Sequence, residues 1–197
     1  MREDTPGRRS PGTRRLFGLD LAAHGTALLS CMTGGVVLES VVLMGAASHH
    51  AASLGFRLLF DNKDAGQSRI RSGDALCSLV QLFVWACCLP LAICVTAMGA
   101  HGMFHAEPLN ALAIAGFAIP GALAATTTAA LALRPGGPGR RGRAVDAMLS
   151  GAPAVLAFCV AFSPLGVEAG KLDALAGLSI VLMLCARTVL HLGRILD

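Results

Sequence analysis

Tyrosine is absent from this chain of 197 residues, tryptophan occurs once, and charged residues make up only 14%. Each shortage excludes something. A soluble domain usually carries about 25% charged residues, so there is too little polar surface here to solvate a globule. Without tyrosine, and with Trp85 inside an apolar run, the aromatic belt that marks membrane–water boundaries is missing. Phe17, Phe60 and Phe104 near segment edges replace it only in part. Also lacking are a Gly-rich phosphate loop, HExxH, GxSxG, a CxxC pair and an intramembrane aspartate pair, which removes the usual sequence signs of an enzyme. We therefore expect no catalytic residues, no cofactor and no enzymatic activity.

What is present is 54% hydrophobic residues, gathered into long runs. A hydrocarbon core of about 30 Å takes roughly 20 apolar residues as a helix. The runs at about 25–47, 76–100, 109–133, 147–167 and 174–192 meet that length. The expected fold is all-α, a polytopic transmembrane bundle of five spans. Four is the alternative, because Gly151, Pro153 and Pro164 suit a re-entrant fourth segment. Residues 1–20 read as a disordered basic tail, punctuated by Pro6, Gly7, Pro11 and Gly12, and 21–197 as one helical domain. The first span also resembles a signal peptide, but its length and Glu39 favour a retained helix. Residues 48–75 form the longest expected loop, with 51–60 along the interface. Within it, Asp61 to Gly66 fails as a calcium loop, since Lys63 and Ala65 stand where oxygen ligands belong.

Lysines and arginines set orientation. In the five-span arrangement, ten lie on the side of loops one and three and the C-terminus, and six on the other. That favours an N-terminus outside, against which the basic tail argues. The net charge of +4 is spread over tails and loops, as membrane-flanking charge rather than a nucleic-acid face. The seven cysteines sit in or beside apolar runs, so they read as small buried hydrophobes, with palmitoylation of Cys77 a further option.

Ionisable groups within a span are functional suspects. Glu39 and Arg187 are expected about 12 and 8 Å from one interface, with Gln81, Thr126, Thr127, Thr128 and Ser150 in the same half. Two readings stay open. Glu39 and Arg187 pair inside the bundle, or Arg187 snorkels while Glu39 is protonated or hydrated. His49 and His50 should lie on the opposite membrane face from His101 and His105, which argues against a shared metal site. Both pairs, and Asp61, Asp64, Asp74, Asp146, Glu168 and Asp173, read as solvated loop or boundary residues. Small residues four apart, Ser30 with Gly34 and Gly121 with Ala125, allow close helix contact.

The leading expectation is a non-enzymatic multi-pass membrane protein: a scaffold, trafficking or envelope-type component working through a membrane-protein partner or a second copy, with no nucleic acid. The alternative is a small transporter or channel subunit with a polar path near Glu39, Gln81 and Arg187. Composition leans toward a eukaryotic or viral source, hence endomembrane, plasma membrane or a viral envelope.

Overall fold

The computed structural model describes the backbone of residues 11–64, 90–105, 110–133, 140–163 and 168–196, and their side chains except in 11–16, 56–64, 140–147 and 187–196. These residues form helices and no strand. The helices are α1 (Pro11–Val37), α2 (Val41–Asp64), α3 (Pro90–Phe104), α4 (Ala111–Ala132), α5 (Arg140–Ala161) and α6 (Ala169–Leu196).

The expected first span is not one helix. Residues 25–47 are cut by a turn between α1 and α2. Ser40 N–H donates to Gly35 O at 3.1 Å across it, and Glu39 adopts a left-handed φ of 52°. This is the six-to-one bond of a Schellman cap, with glutamate where glycine is usual. The expected tail is also shorter, because α1 begins at Pro11. The expected interfacial loop segment 51–60 is part of α2.

The turn makes α1 and α2 a hairpin, and side-chain contacts fix the remaining directions. Gly34 of α1 abuts Phe117 of α4, and Ser30 Oγ donates to Phe117 O at 3.0 Å. Gly121 of α4 faces Ala154 of α5, and Ala125 faces Gly151. Asp173 of α6 lies beside Ser40, and Gly102 of α3 beside Ala174. The six described helices therefore alternate in direction. Each small-residue pair read from the sequence sits on such a contact.

α2 is the axis. It packs against α1, α4, α5 and α6, and residues 41–50 are all buried. Val42, Leu43, Ala46 and Ala47 meet Ile114, Ala157 and Ile180 in the larger core. Val41 and Met44 meet Val95 of α3 and Val181 of α6 in a smaller one. At the crossing of α2 and α6 only glycine fits. A Cβ on Gly177 would come within 2.5 Å of Val41 O.

Among the described residues two stretches, Ala111–Ala132 and Ala169–Ala186, are long and apolar enough to cross a membrane, so five spans are not confirmed. Only 33% and 44% of these windows are buried, whereas the core helix of a soluble protein is mostly buried. The α5 backbone is a continuous helix through Pro153.

The hairpin also corrects the orientation count. The start of α1, the ends of α2 and α6 and the start of α5 share one end of the bundle. Arg14, Arg15, Arg57, Lys63, Arg140, Arg141, Arg143, Arg187 and Arg194 belong to those helix portions. Lys171, near the start of α6, is at the other. The basic tail then agrees with the basic loops instead of opposing them.

Candidate functional site

The interior holds two polar clusters, one at each end of the buried half of α2. The first closes the start of that helix. Ser40 is its N-cap, with Leu43 N–H donating to Ser40 Oγ at 3.4 Å. Asp173 reaches across from α6. Its Oδ1 accepts from the Ser40 hydroxyl at 2.7 Å and Val42 N–H at 3.2 Å, and its Oδ2 from Val41 N–H at 2.6 Å. A carboxylate here satisfies amides that a helix start leaves open and complements its dipole. Asp173 is thus a buried cap, not the solvated boundary residue expected.

The second cluster lies about 13 Å further along α2. Asp20 and His24, one turn apart on α1, are fully buried. So are His49 and His50 of α2, which were expected in solvent. Thr127 and Thr128 of α4 close the group. Asp20 Oδ1 accepts from the Thr127 hydroxyl at 3.0 Å and the Thr128 hydroxyl at 2.9 Å. Each hydroxyl also lies within bonding distance of Ala124 O. His24 Nε2 is 3.1 Å from Thr128 Oγ1 and 3.9 Å from Asp20 Oδ1. His24 Nδ1 is 3.0 Å from His50 Nδ1. His49 Nε2 contacts Ser53 Oγ at 3.4 Å, and its ring stands edge-on to His50 with centroids 5.7 Å apart.

His50 Nε2 is buried and has no partner, and the same holds for Ser150 Oγ of α5. A Cβ on Gly121 would sit 3.1 Å from His50 Nε2, so the absent side chain there leaves room for the ring. Ser150 shares its helix face with Ala154, which packs on Gly121.

The sequence-expected site residues are scattered by this arrangement. Thr128 is central, Thr127 contributes its hydroxyl, and Thr126 is exposed and bonded to Leu123 O. Glu39 is exposed in the α1–α2 turn. Asp173 marks the level of Ser40, and residue 187 lies about 21 Å further along α6. The side chain of Arg187 and all of Gln81 lie outside the described residues, as does Cys77. Cys31 is buried, but Cys94, Cys159 and Cys185 are exposed and free, contrary to the expectation for all the cysteines. His101 and His105 stack with centroids 4.5 Å apart and are exposed. Among the described residues no three His, Cys, Asp or Glu side chains converge as a metal site.

Asp20, His24 and His50 were missed as site residues. The available signal was the four-residue spacing of Asp20 and His24, which places both on one helix face. It was hidden because both fell at the edge of the assumed tail. No protein-family model, curated protein or solved structure matches the chain.

Proposed function

We propose that this chain is a non-enzymatic, multi-pass integral membrane protein that acts as a scaffold, trafficking or envelope-type component through helix contacts with a membrane-protein partner. One observation carries the reading: polar side chains are buried beside the hydrophobic cores while large apolar side chains face outward. Asp20, His24, Ser48, His49, His50, Ser53, Ser150 and Asp173 are buried, while Leu29, Val36, Ile93, Leu112, Leu123, Val155 and Leu182 are exposed. These outward side chains come from α1, α3, α4, α5 and α6, so apolar surface surrounds the bundle. Exposed apolar surface of this extent in a monomer fits contact with lipid or partner protein, and buried polar groups fit a bundle whose helices must satisfy one another in lipid. Asp20 and His24 of α1 and His49 and His50 of α2, which lower the hydropathy of those helices, face inward. With the basic end taken as cytoplasmic, the start of α1 and the end of α6 both face the cytoplasm.

Resistance to alkaline carbonate extraction, together with a specific partner crosslinked in native membranes, is the expected result; release by carbonate overturns the reading. A glycosylation acceptor placed in the α5–α6 connection should be modified in microsomes, and one placed after α6 should not. A second reading, a small transporter or channel subunit, is favoured by the Asp20–Thr128–His24–His50 chain rather than by Glu39, Gln81 and Arg187. Solute or ion flux through vesicles holding the purified protein alone would select it over the scaffold.

A further inference from the structure

We infer that the junction of α2, α4 and α5 is an internal water-binding site, in which bound water supplies the missing partners of His50 Nε2 and Ser150 Oγ. The site goes beyond the proposed function, since it lies inside the bundle and holds whether lipid or protein covers the outside.

Three observations meet here. Both atoms are buried without a partner, on side chains of residues only 0% and 1% exposed. The Ser150 hydroxyl is also turned away from its own helix. Thr26, Ser48, Thr96 and Ser179 each donate to the carbonyl four residues back, at 2.9, 3.0, 2.8 and 2.7 Å. Ser150 forgoes the same bond to Asp146 O, although the helix offers it. Finally, Gly121 keeps the edge of the His50 ring clear. A Cβ there would stand 3.1 Å from His50 Nε2 and 3.9 Å from Ala154 Cβ. One orphaned atom therefore lies at the Gly121–Ala154 contact, and the other belongs to the residue one turn before Ala154 on the same face of α5.

Water suits this pair of groups. It both donates and accepts, so it serves His50 Nε2 in either tautomer and Ser150 in either hydroxyl orientation. A further polar group is close in the chain. Pro153 is fully buried and has no N–H to give Leu149 O, the carbonyl next to Ser150. Internal waters make about three hydrogen bonds to buried groups of this kind. Leaving two such groups dry costs more than holding a water still.

The surroundings favour a neutral guest over an ion. Residues 41–55 of α2, 111–132 of α4 and 148–161 of α5 contain no acid, lysine or arginine. Asp20 belongs to the other edge of the ring, behind His24, which contacts His50 Nδ1.

The test is water-to-protein magnetisation transfer by NMR, on the full chain with labelled histidine and isoleucine in phosphatidylcholine nanodiscs. The carbon-bound Hε1 of His50 should receive magnetisation from water. The methyls of Ile114, fully buried in the apolar core, should receive none. Gly121→Ala puts a methyl before Nε2 and should drop the His50 signal to the Ile114 level. If that variant fails to fold, Ser150→Ala removes one partner of the water and should weaken the same transfer. Stability should hardly move in Ser150→Ala, because the freed water regains the mobility it had lost. Transfer to His50 no greater than to Ile114, or transfer that survives both substitutions unchanged, would overturn the site.

Discussion

The two polar clusters along α2 solve the same problem differently. At the helix start, Asp173 accepts from one hydroxyl and two amides, and Ser40 both donates to it and accepts from Leu43. These three partners all belong to the cap of α2, and the cluster is a closed knot. Near His50 the bonds form an open chain, with a carboxylate at one end and an unsatisfied ring nitrogen at the other. Closed networks of buried groups rigidify a fold, while partly satisfied ones cost stability and call for a reason. The comparison assigns the first cluster to architecture and leaves the second free for chemistry.

Substitutions separate the two. The largest effect is expected at the knot. Asp173→Ala strands the Ser40 hydroxyl and two amides and should destabilise the bundle by about 3 kcal/mol, read as a lowered unfolding midpoint in detergent micelles. Asp173→Asn should fall between, because an amide offers one acceptor oxygen where the carboxylate uses two. Next, Gly177→Ala forces a methyl against Val41 O at the α2–α6 crossing and should cost about 2 kcal/mol by the same measurement. At the unsatisfied hydroxyl of α5 the sign reverses. Ser150→Ala removes a buried hydroxyl without a partner and should be neutral or stabilising by up to about 1 kcal/mol. A loss as large as that of Asp173→Ala would show that Ser150 belongs to a closed network after all. The smallest effect concerns the turn. Glu39→Gly relieves a left-handed glutamate and should stabilise by up to about 1 kcal/mol; a marked loss would return Glu39 to the interior role first expected of it.

The extent to which the sequence was legible varies by element. α4 was read almost to its ends, 109–133 against Ala111–Ala132, because an uninterrupted apolar run with an Asn110 N-cap admits little else. α5 and α6 were located but began earlier than expected, since polar first turns carry no hydropathy signal. The α1–α2 turn was invisible. Gly34, Gly35, Leu38, Glu39 and Ser40 look like a glycine-bearing stretch of one span, and the left-handed residue is not glycine, so the usual punctuation is missing. That single turn moved Glu39 from the interior to the surface. It also carried the basic tail to the same end as the basic loops and folded His49 and His50 into the core. Asp173 could not be recognised because its partners are more than 130 residues away in the chain.

The sequence by itself determined that the chain is helical, apolar and poor in charge, because those properties are sums over residues and need no partner. Tertiary structure alone decided which polar groups matter. A histidine or aspartate has the same intrinsic polarity in a loop and in a core. Only the packing of α1, α4 and α6 around α2 removes water from it and supplies, or withholds, the hydrogen bond that replaces water.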